Sequence, residues 1–274
     1  MSLLSQFFLA IRHFLSSFSF IRKNRLRHYY LFPLILGILL FSFAIHYSLH
    51  YVDLLSDYAL DKLGLELSSV DKTLSFWENV KRSGLMVGEF VFFLILKISL
   101  IYVFFRANKY IVLILLSPVM AFLSERAEEI IKGNSYPFVL AQFLKDIWRG
   151  ILIATRNFVL EMSMTIILLI IGLFVPWLSP FISVLLFFIG AYFYGFSTFD
   201  YINERKKRSI KESVMYLRRN KGAVLGNGSM LSIFMLIPVF GTIYGPLNAT
   251  VGAILTNEEI HAKSSKQEHK KSLS

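Results

Sequence analysis

The sequence predicts an all-α polytopic membrane protein, and three observations support this fold class. Hydrophobic residues make up 55% of the 274 residues, whereas soluble domains contain about 45–50% even with glycine included. These residues are concentrated in runs long enough to cross a bilayer. Basic residues adjoin several runs, which is typical of the cytoplasmic side of membrane proteins. We expect one integral membrane domain, residues 1–260, with two long transmembrane helices, amphipathic surface helices and two Pro/Gly-broken helical hairpins that partly penetrate the bilayer.

The composition excludes several classes of chemistry. Cysteine is absent, which rules out disulfides, zinc–thiolate sites and thiol nucleophiles. The net charge of +11 raises the question of nucleic acid, but the basic residues lie beside hydrophobic runs, so we expect a lipid bilayer and no nucleic acid as the partner. Motifs for phosphate binding, zinc proteolysis and serine hydrolysis are missing. We therefore expect no enzyme activity, no cofactor and no metal site.

Residues 1–28 predict an amphipathic surface helix followed by a basic loop. Apolar side chains recur at helical spacing on one face, namely Leu3, Leu4, Phe7, Phe8, Ile11, Phe14, Leu15 and Phe18. A secretory signal is the alternative, but it requires a basic start, a continuous apolar core and a small-residue cleavage site. The segment has none of these, so we expect it to lie along the membrane surface.

Two long helices follow in the prediction. Residues 29–51 are long enough to span the bilayer, and Pro33 lies in the first turns, where proline is tolerated. The arginines and lysine before this run favour a cytoplasmic N-terminus. The polar and mildly acidic residues 52–84 are expected outside, and residues 85–117 return as one long tilted helix that Pro118 ends or kinks.

A second amphipathic helix and a hairpin are predicted next. Residues 137–162 have an apolar stripe, including Trp148 and Val159, and a polar face of Lys145, Asp146, Arg149, Arg156 and Asn157. Residues 163–199 are hydrophobic and are divided by PWLSP. Residues 200–222 are strongly basic and therefore cytoplasmic, so the hairpin should enter and leave on the same side.

The last hydrophobic segment, residues 223–256, contains Pro238, Gly241, Gly245 and Pro246 in its middle. Two prolines eight residues apart should end one helix and allow another to begin. The limbs on either side would be about 22 Å and about 14 Å long, too short to span comfortably. Both flanks are basic, including the tail 261–274, so the segment should dip into the membrane and return. It is either a buried helical hairpin or the lining of a transport pathway.

One charged residue and one basic stretch are candidates for function from the sequence alone. Lys97 lies near the centre of the second long helix, where a charge costs at least about 2.5 kcal/mol and normally marks a partner or pathway; snorkelling is the alternative. The stretch NRLR, residues 24–27, precedes the first span, where guanidinium groups and backbone N–H groups can bind an anion. Charge alone favours ordinary anchoring of the cytoplasmic end.

Four blocks, in order and over most of the chain, resemble the CysZ-type sulfate permease family, which is related to the etoposide-induced membrane protein family. They are NRLRHYYLFPLILG, SPVMAFLSERAEEIIKG, DYINERKKRSIKESVMYLRRNKG and GNGSMLSIFMLIPVFGTIYGPLNATVGA. The resemblance implies sulfate uptake across the bacterial inner membrane for cysteine biosynthesis, by a homo-oligomer. The family's G-L-R-R sulfate motif falls on Arg25, Leu26, Arg27 and His28. Leu26 and Arg27 match it, Arg25 stands at its glycine, and His28 stands at its second arginine.

Two functional hypotheses follow. In the first, the protein is an anion channel or permease for sulfate or a related oxyanion, with both termini cytoplasmic. Arg25, Leu26, Arg27 and His28 form the candidate sulfate site, in which Arg27 and Arg25 bind the oxyanion with help from backbone N–H groups. The candidate pathway residues are Lys97, Glu125, Pro238, Gly241 and Pro246. In the second, it is a non-transporting membrane scaffold or assembly factor whose residues 1–21 and 205–221 dock proteins or anionic lipids. Sulfate flux separates the two hypotheses.

Overall fold

The computed structural model of the chain describes residues 1–39, 110–133, 139–237 and 240–272, with the isolated positions 42, 54 and 98. The chain forms two compact units, Met1–Ile38 with Tyr110–Ser274, and Leu39–Lys109. In the second unit, the described positions 39, 42, 54 and 98 are helical. Lys97, Pro238 and most of the predicted segments 29–51, 52–84 and 85–117 lie outside the described residues.

The described residues form the following helices and turns, given in chain order. They are α1 (Leu3–Lys23), a 3-10 turn (Leu26–Tyr30), α2 (described over residues 31–39), α3 (described over Tyr110–Lys132), α4 (Leu140–Phe174), a 3-10 turn (Pro176–Leu178), α5 (Ser179–Arg205), α6 (Ile210–Arg219), α7 (Lys221–Met235) and α8 (Phe240–Ser272). The described residues contain no β-strand. Helices α4 and α5 form one packed hairpin, and α7 and α8 form a second. Their depth in the bilayer stays a prediction.

Four described segments are long and apolar enough to cross a membrane. They are Leu3–Lys23, Tyr110–Lys132, Ile147–Phe174 and Pro176–Arg205. Together with the helical content, they confirm the prediction of an all-α polytopic membrane protein.

Helix α1 buries a different face from its most apolar one. Ser2 caps the helix by accepting a hydrogen bond from the Ser5 backbone N–H at 3.2 Å. The buried side chains are Gln6, Leu9, Ala10, Phe14, Ser17 and Ile21. Leu4, Phe8 and Leu15, from the predicted apolar stripe, are exposed on the other side. Since apolar side chains remain outside and polar ones lie inside, this arrangement suits a helix in contact with lipid.

Helix α4 also buries polar side chains and exposes apolar ones, and this finding corrects one prediction. Asn157, predicted on a wet face, is fully buried, as is Glu161 one turn later. Trp148 and Val159, from the predicted apolar stripe, are exposed. The physical reason is that lipid, unlike water, leaves polar side chains no favourable place except the protein interior.

Several helices extend past the ends that the sequence suggested. Helix α3 continues through Pro118 to Lys132, with the flanking Leu116 and Met120 buried. Helix α4 runs unbroken from the predicted surface helix into the first hairpin, and α8 continues through the predicted tail 261–274 as far as Ser272. Helix α8 also begins at Phe240 and passes through Pro246, instead of beginning after it. Packing of these helices therefore outweighs the cost of about 3 kcal/mol for an internal proline.

The N-terminal helix is held by direct backbone contact with α7. A Cβ atom built on Gly226 would lie 2.3 Å from the Phe7 carbonyl oxygen, and one on Gly222 would lie 2.2 Å from the Leu3 carbonyl oxygen. This spacing of four residues is the small-residue pattern that lets two helices approach closely in membranes. It fixes α1, and therefore the turn that follows α1, against the α7–α8 hairpin.

Candidate functional site

The turn after α1 owes its shape to two residues. The Asn24 backbone N–H and its Nδ2 both donate to the Phe20 carbonyl oxygen, at 3.0 and 2.8 Å, and so end the helix. Arg25 then adopts the left-handed conformation, with φ 58° and ψ 30°. This conformation costs a non-glycine residue about 1–2 kcal/mol. Glycine adopts this conformation without that cost, which fits the glycine that the resemblance implies at this position.

The residues after Arg25 have different environments. Leu26 is 3% exposed and anchors the turn in the protein core. His28 is exposed; its Nδ1 lies 3.2 Å from the Arg25 carbonyl oxygen, and its ring lies 4.4 Å from the Tyr29 ring. Arg27 is also exposed, but it faces a groove. Of the four motif residues, Arg27 alone is among those that line this groove.

The groove, which we call the Arg27 groove, has a volume of about 590 Å³. It is lined by Leu15, Phe18, Ser19, Ile21, Arg22, Arg27, Tyr30 and Tyr244. Two guanidinium groups, two phenols and one hydroxyl thus line it beside an apolar wall. The described lining residues include no carboxylate. Such a donor-rich and cationic surface suits an oxyanion.

Helix α8 reaches the Arg27 groove through Tyr244. The Tyr244 ring centroid lies 4.9 Å from that of Tyr30 and 4.7 Å from that of Phe240. Gly241 and Pro246, two candidate pathway residues, lie on either side of Tyr244 in the helix and are not among the lining residues. A Cβ atom on Gly241 would lie 2.1 Å from the Phe234 carbonyl oxygen, so Gly241 lets α7 and α8 meet closely.

A buried relay of hydrogen bonds orients Tyr30. The Ser17 hydroxyl shares its proton between the Phe14 carbonyl oxygen at 2.5 Å and Asn248 Oδ1 at 2.7 Å, and Asn248 Nδ2 donates to the Tyr30 hydroxyl oxygen at 3.0 Å. Ser17 and Asn248 are fully buried. Since Tyr30 accepts from Asn248, it keeps its own hydroxyl proton for donation into the groove. Sequence reasoning missed this relay because its members are far apart in the chain.

Glu125 lies on α3 and is half-buried. Together with Arg126 and Glu129, it is close enough to Tyr29 to act on that hydroxyl electrostatically. Arg126 forms an ion pair with Glu129 at 2.7 Å. Glu125 therefore lies near the turn that carries Arg27, although it is not among the residues that line the groove.

A buried network of ion pairs joins α3, α5 and α8. Arg205 Nε lies 2.8 Å from Glu128 Oε2 in an ion pair, Lys132 Nζ donates to Glu128 Oε1 at 2.5 Å, and Lys132 Nζ also lies 3.0 Å from Glu258 Oε1. Removing one partner of a buried pair leaves an uncompensated charge, which typically costs 3–5 kcal/mol or so. We interpret this network as a structural clamp. Across the described residues, no group of three or more His, Cys, Asp or Glu side chains is arranged to hold a metal ion.

Comparison with known proteins gives two concordant results. The family model described as "Sulfate transporter CysZ/Etoposide-induced protein 2.4" matches residues 13–246. A protein named "Sulfate transporter CysZ" from Pseudomonas aeruginosa strain LESB58 is 27% identical over 241 residues, covering 86% of this chain and 88% of the relative. A protein of the same name from Pseudomonas paraeruginosa strain PA7 is 26% identical over 241 residues, with the same coverage.

Proposed function

Because the chain belongs to the sulfate transporter CysZ/etoposide-induced protein 2.4 family, we propose that it carries sulfate or a related oxyanion across the bacterial inner membrane. The match extends from the middle of α1 into α8 and therefore includes the turn with Arg27. In this proposal the Arg27 groove binds the anion. The termini are cytoplasmic, and the protein works as a homo-oligomer.

One observation carries the proposal: Arg27 and Arg22 line the same groove. Two guanidinium groups match the two negative charges of sulfate, and each can donate two parallel hydrogen bonds to a pair of oxygens. Ser19, Tyr30 and Tyr244 add neutral donors to the remaining oxygens. Together these donors replace part of the hydration shell that the anion loses on entering the groove.

The departures from the family motif fit this arrangement. Arg25 adopts a left-handed bend that glycine would adopt without strain, so the bend is compatible with glycine at this position. Neither Arg25 nor His28 is among the lining residues. Arg27 is then the principal binding residue.

The proposed pathway continues from the Arg27 groove along the α7–α8 hairpin. Gly241 and Pro246 shape the start of α8 and so position Tyr244. Glu125 acts electrostatically on Tyr29 in the turn and is proposed to influence anions near it through its charge. Lys97 and Pro238 are also proposed as pathway residues, on the basis of the sequence alone.

The test is labelled-sulfate uptake by the purified protein in liposomes. We expect Arg27→Ala to lower the rate at least about tenfold, because a hydrogen bond to a charged group contributes about 1.5–3 kcal/mol. Lys23→Ala is the matched control, since Lys23 is exposed at the same end of α1 but is not among the lining residues.

The outcomes distinguish the two hypotheses. Uptake lost in Arg27→Ala and kept in Lys23→Ala supports transport through the Arg27 groove. Equal uptake by Arg27→Ala and the unsubstituted protein would reject the site. If the unsubstituted protein shows no uptake while the Pseudomonas relative does, the non-transporting scaffold becomes the better account.

A further inference from the structure

A second groove, which we call the α4–α6 groove, has a volume of about 480 Å³ and shares no lining residue with the first. It is lined by Lys145, Trp148, Arg149, Leu152, Glu204, Lys207, Arg208, Ser209, Ile210 and Glu212. The α4 residues lie at the start of the apolar segment Ile147–Phe174, and the others lie at or after the end of Pro176–Arg205. The groove therefore lies where these two segments of the hairpin leave the apolar region.

Two of its four basic residues are engaged within the protein. Arg149 Nη2 lies 3.2 Å from Asp200 Oδ1 and donates to the Ser213 hydroxyl oxygen at 2.8 Å. Arg208 Nη1 donates to Asn203 Oδ1 at 2.7 Å. Lys145 and Lys207, in contrast, are exposed. These two lysines are the cations that a ligand in the groove would meet.

The two carboxylates of the lining are also engaged or covered. Glu212 accepts a hydrogen bond of 2.7 Å from the Ser209 backbone N–H, and this bond, with the one involving the Ser209 side chain, lowers the pKa of Glu212. Glu204 is 8% exposed and has partners within the protein. Glu212 is itself exposed and ionised, but four basic side chains line the groove against two carboxylates, so the net charge of the lining is positive.

Lys207 has an unfavourable backbone conformation. Its φ of 51° places it in the left-handed region, which costs a residue other than glycine about 1–2 kcal/mol. Glycine or asparagine would fit this connection between α5 and α6 more easily. The left-handed bend at Lys207 joins α5 to α6, and its exposed side chain is among those that line the groove.

An apolar stripe leads from the groove along α4. Trp148 is 61% exposed, and tryptophan is enriched at the interface between membrane and water. Exposed apolar side chains continue on the same face of the helix, namely Leu152, Val159, Ile166, Ile170 and Leu173. From Leu152 to Leu173 the stripe is about 32 Å long, close to the thickness of the hydrocarbon core of a bilayer.

We propose that the α4–α6 groove binds the headgroup of an anionic phospholipid, with Lys145 and Lys207 on its phosphate. Trp148 lies at the level of the glycerol backbone, and the acyl chains follow the exposed stripe of α4. Charge and shape both favour this occupant. A phosphate would pair with the two exposed lysines, and an acyl chain would cover an apolar stripe that is continuous with the groove. The inference does not depend on which anion the protein transports.

The test uses the fluorescence of Trp148. The chain has three tryptophans, so Trp77→Phe with Trp177→Phe leaves Trp148 as the reporter in the full-length protein. This variant is reconstituted into phosphatidylcholine vesicles that contain equal fractions of either brominated phosphatidylglycerol or brominated phosphatidylcholine. Bromine quenches nearby tryptophan, so we expect stronger quenching by the anionic lipid.

Substitutions then assign the effect to the two lysines. Lys145→Gln with Lys207→Asn should remove the excess quenching, and asparagine keeps the left-handed conformation accessible at position 207. Lys211→Gln with Lys221→Gln is the matched control, because it removes the same charge from exposed positions outside the groove. This control should keep the excess.

Three results would overturn the proposal. The first is equal quenching by the two brominated lipids, and the second is excess quenching that survives in Lys145→Gln/Lys207→Asn. The third is loss of the excess on adding inorganic phosphate but not chloride at the same ionic strength, which would assign the groove to a soluble anion.

Discussion

The rings of Tyr244 and Tyr30 lie with their centroids 4.9 Å apart, and this contact joins helix α8 to the turn that carries Arg27. The two tyrosines come from opposite ends of the chain, yet both line the Arg27 groove. The Pro/Gly segment and the arginine turn, which the sequence presents as separate features, are therefore parts of one structure.

The relay behind Tyr30 predicts different effects for two adjacent serines. Ser17→Ala removes a buried hydrogen bond of 2.7 Å to Asn248 and leaves that side chain partly unpaired, so we expect it to lower the free energy of unfolding by about 1–3 kcal/mol. Ser16→Ala removes an exposed hydrogen bond to the Arg12 carbonyl oxygen. This substitution should change the free energy of unfolding by less than about 0.5 kcal/mol. Denaturant unfolding in detergent measures both values. Equal effects would show that the relay contributes nothing.

Arg25 predicts a stabilising substitution at the site itself. Arg25→Gly relieves the left-handed strain at φ 58°, and the greater freedom of glycine in the unfolded chain offsets part of the gain. We expect a net gain of about 0.5–1 kcal/mol, with sulfate uptake retained because the Arg25 side chain does not line the groove. Arg25→Val should be destabilising, since a β-branched residue adopts this conformation poorly. If glycine and valine behave alike, the bend is not under strain.

The contact between α1 and α7 predicts that Gly226→Ala is strongly destabilising. Its methyl group would meet the Phe7 backbone carbonyl oxygen at 2.3 Å, so one helix must move. We expect a loss of about 1–3 kcal/mol, the usual cost of overpacking, measured as a lower midpoint of thermal unfolding.

Gly172→Ala in α4 is the control for this substitution. There the new methyl group would meet the flexible end of Ile182 at 3.3 Å, and this side chain can shift. A small effect at position 172 and a large one at position 226 are expected. The reverse order would contradict the backbone contact.

His261 predicts a dependence of stability on pH. Its Nε2 lies 3.2 Å from both the Lys206 Nζ and the Tyr216 hydroxyl oxygen. Burial lowers the pKa of His261, and the Lys206 ammonium lowers it further. Below the unfolded pKa of about 6.5, the unfolded chain takes up a proton that the folded protein resists. Stability should therefore fall as the pH decreases from about 7.5 to about 5.5.

His261→Gln isolates this contribution. The variant should lose less stability than the unsubstituted protein over the same pH interval. Hydrogen bonds, of which the one from Lys263 has the largest effect, lower the pKa of Glu259. The contribution of Glu259 to stability is therefore lost only at pH values below about 4.5, outside the interval that is compared. Identical pH profiles of the two proteins would refute the assignment to His261.

The sequence predicted the helices better than it predicted their surroundings. The spacing of apolar residues in α1 and α4 located both helices, because the period of 3.6 residues is a local property. Which face meets the protein was not predictable from that spacing: Phe8 and Trp148 are exposed, while Ser17 and Asn157 are buried. Lipid on the outside reverses the preference that water would impose, and only the packed structure shows which side is which.

The candidate site was predictable in part for a similar reason. Arg27 was found through the motif, whereas Arg22, Tyr30 and Tyr244 join it only because α1, the turn and α8 are packed together. The left-handed backbone of Arg25 fits the glycine that the resemblance implies, but an arginine at this position gives no sequence signal of such a bend. The spacing of Gly222 and Gly226 is a sequence signal for the contact between α1 and α7, because small residues four apart are typical of close helix contacts in membranes.

The most direct test of the central claim is the equilibrium dissociation constant of sulfate, measured by isothermal titration calorimetry on the purified protein. The account predicts at least about tenfold weaker binding for Arg27→Ala and for Arg22→Ala, because each guanidinium group donates charged hydrogen bonds to the same anion. Lys23→Ala should stay within about twofold of the unsubstituted protein, in line with a small effect of a distant exposed charge. Unchanged sulfate affinity in Arg27→Ala, in a protein that still folds, would contradict the account.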